Sequence, residues 1–427
     1  MEAWQSLVHV CRRWRNLVFA SPNRLNLRLY CTKKTPVRDR LDVWPALPLI
    51  VEGNIASPSG MDNNIIAALL QSNRVCQVSL WKIRDWQLEE VLAAMQMPFP
   101  QLADLRLFSD GETVPVIPDS FLDGSAPRLR FFELDGIPFP GLPKLLFSAN
   151  YLVKLWLTDI PHSGYISPEA MVALISVLSN LETLYIGFQS PRSRPDRETR
   201  RPPLSKRFVI PALYKFHFGG VIEYLEDLVT GIDAPQLEEM QVTFFNQIDF
   251  DTPRLAQFIN RTPKLGKRDA TVEFNDEYAL VRLSRGALRI AIVCREPDWQ
   301  LSSIEQVCNS SLHPLSTVEV LYIKQHYSQL VWKDDDIENT LWLQLLLPFT
   351  AVKNLYLEDI FAPGIVAALQ ELVGDRIMEV LPSLRKIFVE GLVPWRPLQE
   401  NFRRLVAARG LSDHPIDISV WDYKDLI

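Results

Sequence analysis

The sequence predicts an α/β protein built as a leucine-rich-repeat-like solenoid, a horseshoe with a short N-terminal helical cap. Three observations predict it. A short strand pattern of the form LxxLxL recurs along the 427 residues at intervals of roughly 23–34 positions. Helical patterns, with apolar residues three and four apart, fall between the strands. No glycine-rich phosphate loop follows any strand, which sets the chain apart from a doubly wound sheet with the same alternation.

Taken in order, the first element is a helix. Trp4, Leu7, Val8, Cys11, Trp14 and Val18 share one face, Arg12, Arg13 and Arg15 leave from the other, and Ser21-Pro22 ends it. A helix this short has to dock its apolar stripe on something. The strand anchors then run Val75-Val78-Leu80, Leu102-Leu105-Leu107, Leu129-Phe132-Leu134, Leu152-Leu155-Leu157, Leu181-Leu184-Ile186, Leu213-Phe216-Phe218 and Leu237-Met240-Val242. After a gap they resume as Val318-Leu321-Ile323, Val352-Leu355-Leu357 and Leu384-Ile387-Val389. The gap holds about three units and contains the strand-like runs Ala270–Phe274 and Leu288–Cys294.

Helical patterns occupy Ile65–Leu70, Leu88–Met95, Ala170–Leu178, Val221–Val229, Leu301–Cys308 and Ile365–Val373, and Ser167-Pro168-Glu169 reads as a capped helix start. Asp or Gly follows the strand where regular repeats carry asparagine or cysteine, as in Leu134-Asp135-Gly136 and Leu157-Thr158-Asp159, so the array is an irregular one. About 12–13 strands at roughly 4.8 Å spacing predict a curved sheet about 60 Å long, a surface of protein size. The expected organisation is a cap at 1–24, the solenoid over 25–410 and a tail at 411–427. Residues 189–207, with four prolines and seven basic residues against two acids, read as a basic disordered loop. It is either a tolerated insertion or a docking or phosphorylation segment through Ser190, Ser193 and Thr199.

Composition excludes several function classes. The net charge of −6 argues against a dedicated nucleic-acid binder, although residues 1–40 carry nine Lys and Arg against Glu2 and Asp39. No run approaches the roughly 20 apolar residues of a membrane span, and the greasiest, Leu341–Phe349, ends at a proline-phenylalanine pair. There is no signal-peptide pattern. Cysteines 11, 31, 76, 294 and 308 show no paired spacing, which suits reduced thiols in the cytoplasm or nucleus. The six histidines stand singly, so no metal site is expected. Asp334-Asp335-Asp336 lacks the glycine and terminal glutamate of a calcium loop and reads as a turn before a helix at Ile337–Leu347. With no catalytic constellation and no cofactor motif, the reading is of a non-enzyme.

The strands themselves carry the candidate site. Residues between the second and third anchors face away from the core by the period-two rule and give Ser79, Arg106, Glu133, Trp156, Tyr185, His217, Gln241, Tyr322, Tyr356 and Phe388. Two aromatic ladders are expected on the concave face: Trp156-Tyr185-His217 and Tyr322-Tyr356-Phe388. Exposed aromatics of this kind anchor protein interfaces. The alternative is that the tail after Gly410, with Trp421 and Tyr423, covers the second ladder.

The stretch Leu7-Val8-His9-Val10-Cys11-Arg12-Arg13-Trp14-Arg15 resembles the second half of an F-box. Leu41–Pro48 and Asp298–Ser303 resemble segments of the fungal F-box proteins whose F-box precedes irregular leucine-rich repeats. The resemblance implies docking of the F-box on a Skp-type adaptor of a cullin–RING ubiquitin ligase, with the repeats capturing the protein to be ubiquitinated. On that basis Leu7, Val10, Cys11, Trp14 and Leu17 occupy F-box positions, with Trp14 packing the small helical domain. An F-box opens with a leucine-proline-acidic-leucine helix, and the sequence starts at Met1 after that point. The remaining helix is therefore expected to cover the first repeat. The implied function is a substrate-recognition subunit of a ubiquitin ligase; the alternative is a leucine-rich-repeat interaction scaffold without ligase docking.

Overall fold

The computed structural model describes residues 10–20, 28–32, 41, 47–54, 62–111, 114–195, 207–247, 249–265, 268–283, 286–310, 312–325, 338–372, 376, 378–390, 396–410 and 415–421. The chain forms two compact units, Met1–Ser193 and Arg194–Ile427.

In the first unit the elements are α1 (Arg12–Ala20), β1 (Leu29–Cys31), β2 (Leu49–Asn54), α2 (Asp62–Leu69), β3 (Val75–Ile83), α3 (Asp85–Ala94), β4 (Asp104–Ser109), β5 (Phe131–Asp135), α4 (Leu142–Leu146), β6 (Lys154–Ile160), α5 (Pro168–Val177) and β7 (Thr183–Phe188). Its seven strands pair in chain order and all in parallel. Each repeat sends its three anchors to the same side. Val78, Leu80, Leu105, Leu107, Phe132, Leu155 and Leu184 are fully buried there. Burying one such side chain contributes about 1.5–3 kcal/mol, so the repeated triplet drives the stacking. The helix start at Ser167 is as expected, its Oγ accepting from the Ala170 N–H at 3.3 Å.

Gly136 explains the glycine after β5. Its φ is +67°, and a Cβ there would lie 2.8 Å from the Ser109 carbonyl oxygen. β3 and β6 each carry a bulge before their last residue, with Lys82 at φ +55° and Asp159 at φ +48°. The bulges turn these strand ends and change which side chains reach the surface.

The second unit contains β8 (Phe208–Val209), β9 (Lys215–Gly220), α6 (Ile222–Thr230), β10 (Ile232–Asp233), β11 (Glu239–Phe244), α7 (Pro253–Arg261), β12 (Asp269–Phe274), β13 (Tyr278–Leu283), β14 (Leu288–Val293), α8 (Pro297–Ser310), β15 (Val320–Gln325), α9 (Asn339–Leu346), β16 (Asn354–Leu357), α10 (Ala362–Gln370), β17 (Lys386–Glu390), α11 (Arg396–Gly410) and β18 (Asp417–Trp421). Nine strands form its main sheet, in the order β9-β11-β14-β13-β12-β15-β16-β17-β18, while β8 and β10 make a separate parallel pair. Its helices are capped by their neighbours. The buried Glu226 of α6 accepts from the Arg254 and Leu255 N–H groups at 3.1 and 2.7 Å, closing the start of α7.

Several expectations need correction. The gap between Leu237 and Val318 is not filled by three ordinary repeats. It holds an antiparallel meander, β12-β13-β14, whose outer strands are parallel to β15 and β11. The described strands of the main sheet number seven in the first unit and nine in the second, more than the sequence spacing suggests. The helix before β16 starts at Asn339 with Glu338 as its cap residue, and Asp334–Asp336 lie outside the described residues.

The N-terminal helix differs most. Val10, Trp14 and Leu17 of the expected docking stripe are 67%, 48% and 59% exposed, and Cys11 is exposed as well; Leu7 lies outside the described residues. No described side chain of Val10–Leu17 is buried, and on the core side of the first strands α2 packs against β1 and β2. Within 189–207, residues 196–206 are outside the described set. The Gln189 N–H donates to the Ile160 carbonyl at 3.0 Å and Ser193 is fully buried, so this end is built into the unit and Ser193 is no surface phosphorylation site. The tail supplies β18, an added strand paired with β17.

Candidate functional site

In the first unit the outward positions form continuous rows because the strands are parallel and in register. One row runs Ser79, Arg106, Glu133, Trp156, Tyr185. The row on its amino-terminal side runs Gln77, Asp104, Phe131, Lys154, Thr183. Trp156 is the centre of an aromatic group. Its ring meets Phe131 edge-on at 5.4 Å between centroids and Tyr185 at a tilt, 6.5 Å away. All three rings are half-buried and open to the outside. The indole Nε1–H is sealed inward and has no hydrogen-bond acceptor among the described residues. Such a buried, unsatisfied donor costs about 1–3 kcal/mol.

Charge is arranged around these rings. The Arg106 guanidinium lies 4.2 Å over the Phe131 ring, and its fork holds Asp104 by two bonds of 2.9 and 3.1 Å. Lys154 Nζ is 5.9 Å from the same ring. Beside Trp156 in register, Glu133 is buried, and burial pushes its carboxyl up to about 7; Arg106 opposes the shift, and Asp135 and Asp104 add to it. Burial, with Asp135, also raises Asp159, and the Tyr185 hydroxyl is raised by burial and by Asp159 and Asp135. Thr158 Oγ1 donates to Asp135 at 2.5 Å. Next to the group, Trp81 and Phe108 stack at 6.2 Å.

The second expected ladder is tighter, and its rings are half-buried like those of the first. Tyr322, Tyr356 and Phe388 are in register on adjacent strands. They stack at 4.6 and 4.4 Å, the latter pair nearly coplanar in orientation at 6°. Trp421 then lies edge-on across Tyr356 at 5.4 Å and Tyr322 at 6.5 Å, with its Nε1–H donating to the Leu357 carbonyl at 3.4 Å. Tyr423 lies outside the described residues.

No protein-family model matches the sequence, and no curated protein matches it. Among solved structures, the crystal structure of the leucine-rich repeat-containing protein LegL7 from Legionella pneumophila aligns over 89% of this chain and 97% of its own, at 12% identity and a TM-score of 0.28. The leucine-rich-repeat-like character stated here rests on this chain's own register: stacked parallel strands with buried LxxLxL triplets.

Of the predicted site residues, Arg106, Trp156 and Tyr185 are brought onto one surface, and Tyr322, Tyr356 and Phe388 onto another. His217 belongs to a polar cluster of the second unit. Its Nε2 lies 3.2 Å from Glu239, which also receives Lys215 at 2.7 Å and the Gln241 amide at 2.8 Å. Burial lowers the imidazole's proton affinity despite the carboxylate. Ser79 and Glu133, read as open-face positions, are 2% and 7% exposed. The sequence reading missed Phe131 and Lys154. Both stand directly before a second anchor, so the same period-two parity places them outward. Among the described residues no group of three or more His, Cys, Asp or Glu side chains could hold a metal, and no helix is long and apolar enough to cross a membrane.

Proposed function

We propose that the protein is a non-enzymatic recognition subunit that captures another protein on the outward face of its first unit. The observation that carries this reading is the Phe131–Trp156–Tyr185 group: three rings held in place from below by buried anchors, open above, with charged side chains around them. Rigid aromatics of this kind supply contact area at little entropic cost. The test is site-specific photo-crosslinking. With p-benzoylphenylalanine introduced at Tyr185, a discrete partner adduct is expected in cells, and Trp156→Ala abolishes it while the protein stays folded, at a cost of about 1 kcal/mol or less. No adduct at Tyr185, or an adduct indifferent to Trp156→Ala, overturns the reading.

A finer reading is favoured by one further observation. The exposed stripe of α1, with Val10, Cys11, Trp14 and Leu17 facing solvent, is an unseated apolar helix face next to an F-box-like sequence. On this reading α1 docks on a Skp-type adaptor of a cullin–RING ligase, and the captured protein is the one ubiquitinated, in the cytoplasm or nucleus. Co-purification with purified adaptor that Trp14→Asp and Leu17→Asp together abolish supports it. Absence of adaptor binding leaves the protein as an interaction scaffold.

A further inference from the structure

The first unit has a cavity of about 390 Å³ at the amino-terminal ends of its strands, beside the aromatic group. Arg28, Arg106, Arg130 and Lys154 line it, against the single carboxylate of Asp104. Phe131 forms part of the wall. The Arg106 fork is committed to Asp104. Arg130 and Lys154 are exposed, and neither makes an ion pair or side-chain hydrogen bond among the described residues. Arg130 and Lys154 therefore give the cavity two cationic groups that no carboxylate among the described residues neutralises by an ion pair. Cations gathered around a concavity at such a position select an anionic group.

The surroundings limit what kind of anion fits. Further along the same strands the outward positions turn acidic: Glu133, then Asp135, with Asp159 close by. The row of Phe131 and Lys154 is four residues from the row of Asp135 and Thr158, about 13 Å at the rise of an extended strand. A nucleic acid or a run of phosphates crossing the face would meet these carboxylates, in keeping with the chain's net charge of −6. A single monoanion in the cavity gains the cations while meeting less repulsion from Asp104 and Glu133 than a dianion would.

We propose that the cavity receives one carboxylate side chain of an extended segment of the captured protein, whose next residues lie over Phe131 and Trp156 and whose residue about four positions away is not acidic. This rests on the reading that the first unit captures a protein on this face, and names the chemistry of its ligand.

The test uses the full-length protein and a fluorescent peptide library with an Asp or Glu fixed at the first position, an aromatic or aliphatic residue within the next three, and the fifth position varied. Fluorescence anisotropy of selected peptides is expected to weaken at least tenfold when the first residue becomes Lys, and at least tenfold when the fifth becomes Asp. In the Arg130→Glu, Lys154→Glu double variant, binding of the acidic peptides falls at least tenfold and the Lys-first peptides gain affinity. Because both positions are exposed, circular dichroism of the variant should match the parent. Acidic peptides that bind the double variant as well as the parent overturn the proposal. So does tighter binding by a phosphoserine peptide, or by an oligothymidylate, through the same two residues. If no peptide binds while the Tyr185 crosslink still forms, the acidic-segment assignment fails and the capture reading stands. If neither is seen, both fail.

Discussion

The two aromatic groups on the two units are made from the same kind of position and end differently. Trp156 and Tyr185 stand 6.5 Å apart at a tilt, with an indole N–H that finds no acceptor. Tyr322, Tyr356 and Phe388 stack at 4.4–4.6 Å beneath Trp421, whose own N–H is bonded to Leu357. Both groups are half-buried; one leaves a polar atom unsatisfied, while the other is closely stacked and carries an edge-on indole whose N–H is bonded. What separates the two is that β18 lays Trp421 edge-on against two rings of the second ladder, while no such indole leans on the first among the described residues.

The comparison can be broken most forcefully at Trp421. Trp421→Ala should lower the stability of the second unit by about 2 kcal/mol, less than truncating a fully buried core indole, measured by urea denaturation. Trp156→Ala should cost about 1 kcal/mol or less, because it removes an unsatisfied donor along with the packing. Equal losses at the two positions would erase the distinction drawn between them.

A pH series probes the carboxylates beside the two groups. Glu133 and Glu358 are each pushed up to about 7, in both cases first by burial, from an ordinary value of 4.5. Between these values the native state holds protons that the unfolded chain has released, so both residues make the fold less stable as pH rises from about 4.5 to 7. Below 4.5 they are neutral in both states and cost nothing. Glu133→Gln should thus stabilise the protein by roughly 2 kcal/mol at pH 8 and by nothing at pH 4. Glu358→Gln should act in the same direction, its carboxyl being raised first by burial against the opposing Gln325 N–H that it accepts. A gain that persists at pH 4 would assign the effect to packing rather than ionisation.

The smallest effect sharpens the comparison furthest. Trp156→Phe keeps a ring on Phe131 and removes the orphaned N–H, so thermal stability should hold or rise by up to about 1 kcal/mol, while the Tyr185 crosslink weakens. A Trp421→Phe variant, which loses the bond to Leu357, should instead lose about 1 kcal/mol. Opposite signs in calorimetry are the expected outcome; the same sign in both would show that the indole N–H groups do not matter.

Much of this architecture is legible in the sequence, and for a definite reason. A triplet such as Leu152-Leu155-Leu157 must bury three side chains on one side of one short strand, and its recurrence leaves few alternatives to stacking. The outward residues follow from parity alone, which is how Trp156, Tyr185 and the Tyr322 ladder can be read. Parity does not say what lies beside them, so the edge-on contact of Trp421 with Tyr356 is a tertiary fact. The meander escaped because Leu280-Val281 and Ile290-Ala291-Ile292 are apolar runs without the LxxLxL spacing, and nothing local specifies an antiparallel return. The α1 stripe is readable as amphipathic, but that α2 already occupies the core side of β1 is a tertiary fact. The basic cavity draws on residues from five separate strand starts, from Arg28 to Lys154, a proximity that no local motif encodes.

The meander also sets how the second unit can be assembled or cut. In the first unit each new strand adds beside the last, so the sheet can grow like a zipper and lose its end without disturbing its beginning. In the second, β11 has no neighbour on its far side until the chain has passed on to β12, turned back through β13 and delivered β14. The chain then has to step from β14 across β13 and β12 to place β15 beside β12. Strands late in the sequence are thus keystones for strands made earlier. A truncation within the first unit takes strands only from its end, whereas one that falls before β14 leaves β11 without its neighbour.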